Sequence, residues 1–142
     1  MASRLNPYIS VLDGSAREAL EFYQSVLGGE LAIMTFGDLG TEGPVADQVM
    51  HGQLETPAGY TLMVADAPPE MMQVTMGNNI SVSLSGVRQD ADDLRGYFAG
   101  LAEGGMVPQP LEPAPWGDEF GMLVDRFGIT WLVNIAGEGN QG

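Results

Sequence analysis

At 142 residues the chain has the size of one ordinary domain and enough length to bury a core without covalent staples. Nineteen acidic residues against five basic ones give a formal net charge of −14, which repels nucleic acid and anionic membrane surfaces and removes both from the expected partners. Cysteine is absent, so disulfides, thiolate metal sites and cysteine nucleophiles are unavailable, and no apolar run reaches signal-peptide length or the roughly 18 residues of a membrane span. A soluble cytoplasmic protein is expected.

The first organised stretch, Asn6 to Gly37, runs from a short apolar strand into Asp13-Gly14, through a helix and a double glycine, and out along a second strand. Ser15 and Glu18 hold the S-x-x-E spacing of a capping box, which starts the helix at Ser15. Ala16, Ala19, Leu20, Tyr23, Val26 and Leu27 recur at helical spacing and draw one apolar stripe, and Gly28-Gly29 closes the helix. Glu30 to Phe36 is rich in strand formers; the Gly-, Pro- and acid-rich run GDLGTEGPVAD that follows is a loop. Gln48 to Thr56 alternates, with His51, Gln53 and Glu55 on a polar face, and Pro57-Ala58-Gly59 turns it into Tyr60 to Ala65 as a hairpin. The loop DAPPEMMQVTMGNN carries Met71, Met72 and Met76, flexible apolar side chains suited to a lid, a subunit contact or packing over the core.

From Asn79 the pattern returns. Ile80, Val82 and Leu84 alternate with Ser81, Ser83 and Ser85 as a half-buried strand, and a helix from about Asp90 to Ala102 places Ala91, Leu94, Phe98 and Leu101 on one stripe before Gly104-Gly105. Laying Gly28-Gly29 over Gly104-Gly105 also brings Phe22 onto Phe98, an offset of 76 residues that suggests internal duplication. Met106 to Leu111, Glu119 to Asp125 and Ile129 to Ile135 read as strands, EPAPWGD as a loop, Arg126-Phe127-Gly128 as a turn, and the terminal GEGNQG as frayed. Each half therefore reads βαβββ. The expected fold is α+β: one domain over residues 1–142, with module one at about 5–66 and module two at about 79–136, two small sheets each backed by a helix and curving around a central cavity.

N-P-Y near the start, D-G-x-A-R-E-A-L-E-F-Y over Asp13 to Tyr23, V-L-G-G-E, M-T-F-G at Met34 to Gly37, W-G-D-E-F-G-M at Trp116 to Met122 and D-R-F-G-I-T-W at Asp125 to Trp131 together resemble the PhnB-like family. That family belongs to the vicinal oxygen chelate superfamily of glyoxalases, bleomycin-resistance proteins and extradiol dioxygenases. The resemblance implies the fold just described and a homodimer. It does not by itself imply one activity, since the superfamily contains isomerases, dioxygenases, thiol transferases and binding proteins on one scaffold. Some members carry a demethylubiquinone methyltransferase label, but the chain has no glycine-rich strand-to-helix turn of the kind that holds S-adenosylmethionine.

Enzymes of the superfamily hold a divalent metal with His and Glu side chains projecting into the cavity. Carried onto this sequence, the first-strand ligand falls on or beside Pro7 or Tyr8, the fifth-strand ligand within Asn79 to Ser83, and the last-strand glutamate on Leu132 of DRFGITWL. None is a histidine or carboxylate, and with a single histidine the chain cannot build a two-His-one-carboxylate site within one subunit. No metal and no other cofactor is expected.

If the last strand points Thr130, Leu132 and Asn134 into the cavity, as the implied ligand position requires, then Trp131 and Val133 face the helical layer. The same alternation selects Tyr8, Ser10, His51, Gln53, Glu55, Ser81 and Asn134 as ligand-binding candidates, joined by Trp116, an aromatic in a Pro-rich loop that can stack on a flat ligand. His51 is the candidate general acid or base, an imidazole beside carboxylates on one strand face, set against the plainer reading of a solvated polar face. Arg17 is read as a surface ion pair with Glu18 or Glu21, and Arg126 as a brace for its turn. Two function classes follow: a metal-free protein that binds a small molecule, and a glyoxalase- or dioxygenase-like enzyme using the same cavity with His51 or a metal.

Overall fold

The computed structural model describes residues 3–137. The chain folds as two compact units, Met1–Thr75 and Met76–Gly142. In the first, β1 (Tyr8–Val11), α1 (Ala16–Leu27), β2 (Glu30–Thr35), β3 (Val49–Glu55) and β4 (Thr61–Asp66) form a four-stranded sheet of order β1-β4-β3-β2 with the helix on one face. In the second, β5 (Ser81–Gly86), α2 (Ala91–Ala102), β6 (Met106–Pro113), β7 (Glu119–Val124) and β8 (Thr130–Ile135) repeat this as β5-β8-β7-β6. In both, the first strand pairs parallel to the last and the remaining pairs are antiparallel, so each sheet is mixed.

The period-two pattern of the first unit turns one face of its sheet to the helix, although Thr61 and Ala65 of β4 are buried on the other face as well. Ile9, Val11, Leu54, Leu62 and Val64 are buried against Ala16, Ala19, Leu20, Tyr23 and Leu27 of α1. Gly52 lets the helix approach, because a Cβ there would lie 2.2 Å from Leu20 Cδ1. The opposite face carries Tyr8, Ser10, His51, Gln53 and Glu55, as the alternation requires.

The helix begins as expected, with Ser15 as its N-cap, but not by a capping box. Ser15 makes no capping hydrogen bond to the first turn; its hydroxyl donates back to the Leu12 carbonyl at 2.8 Å. The Ala16 amide instead donates to Oδ1 of Asp66 at 2.9 Å, while Oδ2 accepts the Val49 amide at 2.7 Å. A buried carboxylate at the end of β4 thus ties the start of the helix to the start of β3, a charge-assisted pair of bonds that outcompetes a local hydroxyl.

The glycine pairs are the clearest sign of the repeat. Gly28 and Gly104 both have positive φ, and a Cβ on Gly29 or Gly105 would stand 2.0 Å from the carbonyl oxygen of the last residue of β3 or β7, Glu55 or Val124. The helices, however, match at an offset of 75, not 76: Ala16, Ala19 and Tyr23 occupy the buried positions held by Ala91, Leu94 and Phe98. Tyr23, not Phe22, is the counterpart of Phe98, and the extra residue is Glu103, extended at the end of α2.

Three smaller expectations change. A single 3-10 turn, Arg88–Asp90, precedes α2; Ile80 lies outside β5 and is 81% exposed; and β6 runs on to Pro113. Pro108, Pro110 and Pro113 are tolerated because β6 is an edge strand, with register shifts against β7. Arg17 makes no ion pair among the described residues, whereas Arg126 braces the end of α2 by donating to the Glu103 carbonyl at 3.2 Å. Gly137 is held by Asp118, and the rest of the expected frayed tail lies outside the described residues. Among the described residues no helix is long and apolar enough to cross a membrane.

Candidate functional site

The open face of the first sheet gathers five of the eight sequence-selected residues. Tyr8, on the edge strand, sets its ring 5.7 Å from that of His51 and donates from its hydroxyl to the Met50 carbonyl at 3.4 Å. His51 Nε2 lies 3.3 Å from Gln53 Oε1, and Gln53 Nε2 donates to Glu55 Oε2. Glu55 Oε1 accepts the Thr61 hydroxyl at 2.6 Å, and Arg4 donates to that hydroxyl at 3.0 Å while its guanidinium sits 3.6 Å from the carboxylate. Ser10 shares this face opposite Ala65 but joins no hydrogen bond among the described residues.

This row has a direction. The Thr61 hydroxyl, the Gln53 amide and the nearby Arg4 all favour the ionised form, holding Glu55 below the usual carboxylate range. An ionised carboxylate accepts only, so the Gln53 amide must turn its nitrogen to Glu55 and its oxygen to His51. That oxygen also accepts only, which places the proton of a neutral His51 on Nε2 and leaves Nδ1 as its acceptor. Among the described residues Nδ1 has no hydrogen-bond partner.

Arg4 and Thr61 were not among the sequence candidates. Thr61 was accessible from the hairpin itself, since a turn centred on Ala58 places it opposite Glu55. Arg4 comes from 57 residues away in sequence and no local pattern marks it.

In the second unit, Ser81 is exposed opposite Thr130, and Asn134 stands between Ser85 and Phe120 on the face away from α2. The burial of Trp131, Val133 and Ile135 agrees with the expected orientation of β8. Asn134 donates to Asp118 Oδ2 at 3.1 Å, so its amide is held within its own module. Trp116 is 60% exposed, with its ring 5.9 Å from Phe120 at the wall of a cleft of about 280 Å³. Sequence reasoning passed over Phe120, although its place two residues after Asp118 on an alternating strand puts it on the open face.

A family model described as 3-demethylubiquinone-9 3-methyltransferase matches residues 6–134. The chain belongs to this PhnB-like family. Protein PA1353 from Pseudomonas aeruginosa is similar in structure at a TM-score of 0.81 and 35% identity, covering 94% of this chain and 98% of that one. A putative 3-demethylubiquinone-9 3-methyltransferase, the PhnB protein from Bacillus cereus, aligns at 0.71 and 23% identity over 94% of this chain and all of its own. A glyoxalase/bleomycin-resistance/dioxygenase domain from Frankia sp. EAN1pec, 14% identical, aligns at 0.64 over 99% of this chain and 96% of its own. Two four-stranded mixed sheets, each backed by a helix, are the fold of that wider superfamily.

Neither group suggested by these kinships fits the residues present. S-adenosylmethionine is commonly held by a glycine-rich turn from strand to helix. In this PhnB-like chain the β1–α1 turn has one glycine and the first helical amide is already bonded to Asp66. At the β5–α2 connection, a Cβ on Gly86 would meet Leu94 Cδ1 at 3.0 Å, so that glycine serves helix packing. For a divalent metal, Leu132 faces Ser83 and Met122 across the sheet, and no three His, Asp or Glu side chains gather among the described residues.

Proposed function

We propose that the protein binds a small molecule without a metal, using the open face of the first sheet. The observation that carries this reading is the hydrogen-bonded row from His51 through Gln53 and Glu55 to Thr61 and Arg4, fixed at one end by an ionised carboxylate and leaving His51 Nδ1 and the exposed Tyr8 ring for a ligand. Such a row is preorganised: few side-chain rotamers are left to freeze on binding. The donor set supports the metal-free half of the reading.

The test is a small-molecule screen by thermal shift on chelator-treated, tag-free protein, with metal content measured by mass spectrometry. A hit that raises the midpoint in chelator, and that His51→Ala weakens about fivefold, supports the reading. Stoichiometric tight metal, or hits that vanish on chelation, would overturn it.

The arrangement of His51 also favours a second reading, an enzyme in which Nδ1 takes or gives a proton. Turnover of a methylglyoxal adduct, catechol or epoxide that His51→Ala abolishes would establish it; no turnover across that panel removes it. A homodimer is proposed as well, supported by Met71, Met72 and Met76, each more than 40% exposed. Light scattering tests it, and a monomer at micromolar concentration would end it.

A further inference from the structure

The cleft beside Trp116 is built differently from the row on the first sheet. It lies on the open face of the second sheet, where Glu112 of β6 stands opposite Phe120 of β7 and Phe120 opposite Asn134 of β8. Trp116 arrives from the connecting turn and closes one side, its ring inclined at 58° to that of Phe120. The turn is held at both ends. The Ala114 amide donates to the Asp118 carbonyl at 2.7 Å and the Gly117 amide to the Ala114 carbonyl at 3.0 Å. The Asp118 carboxylate accepts the Gly137 amide and the Asn134 side chain. An indole that is 60% exposed is therefore presented by a fixed backbone.

The charge around this aromatic wall has one sign. Glu112 is exposed and makes no ion pair among the described residues. Arg88 and Arg95 reach the neighbouring end of the same sheet, but Glu119 engages both, at 3.8 Å and 2.8 Å, and α2 carries Arg95 on the helix-covered side. Among the described residues no basic side chain lines the cleft. Two electron-rich rings, one unpaired carboxylate and a volume of about 280 Å³ have the chemistry of a site for a small organic cation: the ring quadrupole attracts the charge, and the carboxylate completes it without the full cost of stripping an ammonium ion of water.

We propose that the cleft formed by Trp116, Phe120 and Glu112 binds a small quaternary ammonium ion or an organic cation of that shape. This goes beyond the first-sheet reading by adding a second site and naming its ligand class. It does not depend on the His51 row.

Choline and its neutral isostere 3,3-dimethyl-1-butanol are the probes, read by NMR at the indole N–H signals. There are only two of these, and Trp131 serves as an internal control because it is 1% exposed with Nε1 bonded to Asp125 at 2.8 Å. Trp116→Phe assigns the pair. Choline is expected to shift the Trp116 signal saturably at millimolar concentration and to bind about tenfold more tightly than the alcohol. Trp116→Ala, followed at backbone amides of β6 and β7, is expected to lose about tenfold, and Glu112→Gln about fivefold, with the Trp131 signal unmoved.

Equal binding of choline and the alcohol would overturn the cation assignment while leaving small-molecule binding intact. An unsaturated or absent choline shift, or an unchanged affinity in Glu112→Gln, would overturn the site. His51→Ala should leave choline binding unaltered, so failure of the cleft and failure of the first-sheet site are read separately.

Discussion

Two carboxylates decide most at the scale of single residues. Asp66 accepts two backbone amides in a buried position, and its loss would leave both without partners. Asp66→Ala is expected to cost about 3 kcal/mol, measured by urea unfolding, since each orphaned buried amide carries its own desolvation penalty. A loss below about 1 kcal/mol would show that water replaces the carboxylate. Glu55 is a different case, being partly exposed. Its folded-state pKa is depressed, chiefly by the Thr61 hydroxyl, from an ordinary 4.5. The stability it contributes is therefore present above pH 4.5 and lost as pH falls through the lower folded value. Thr61→Val is expected to raise the Glu55 pKa, read from its side-chain carboxyl shift, and Glu55→Gln to lose less stability on acidification than the parent. A Glu55 pKa unchanged by Thr61→Val would remove the hydroxyl as the cause.

Among the elements, glycine separates contact from propensity. Gly29→Ala or Gly105→Ala drives a methyl into a strand carbonyl 2.0 Å away, and neither backbone can retreat without breaking the end of β3 or β7. Each is expected to cost at least about 3 kcal/mol. Gly96, exposed inside α2 with nothing within 4 Å of a Cβ, should behave oppositely: Gly96→Ala is expected to stabilise by about 0.8 kcal/mol. Thermal midpoints of the three variants check this, and a tolerated Gly29→Ala would refute the close approach. These same elements show what the sequence made legible. Stripes and alternation mark both helices and the strands that bury one face, whereas β6, exposed along almost its whole length, carries no such alternation and is bounded only by Gly105 and the loop that follows it. Ser15 is the N-cap that the sequence marks, but the bond that caps the helix comes from Asp66, 50 residues away, a partner that local spacing does not encode. The glycine pairs align at an offset of 76 and the helical stripes at 75, because Glu103 adds one residue between α2 and its glycine pair. At the first-sheet site, strand parity selected Tyr8, His51, Gln53 and Glu55, and non-locality hid Arg4.

Across the whole molecule, the net charge of −14 opposes compaction, and among the described residues ion pairs relieve it at few points: Arg4 with Glu55, Arg88 and Arg95 with Glu119, and Arg95 with Asp92. Raising ionic strength from about 0.01 M to about 0.15 M shortens the screening length from about 30 Å to about 8 Å and should raise the melting midpoint by several degrees. A midpoint that falls with salt would mean that these ion pairs outweigh the repulsion. The mixed sheets also impose an order on synthesis. β1 lies at a sheet edge and bonds only β4, Tyr8 facing Met63, so the first strand made in each half waits for the last. At about 5–20 residues per second, β1 leaves the ribosome several seconds before any strand exists to receive it. Nascent chains stalled before Thr61 emerges should stay open to protease at Tyr8, and protection should arrive in one step as β4 is released. The strand of each module that is laid down first is thus secured last, β1 by β4 and β5 by β8.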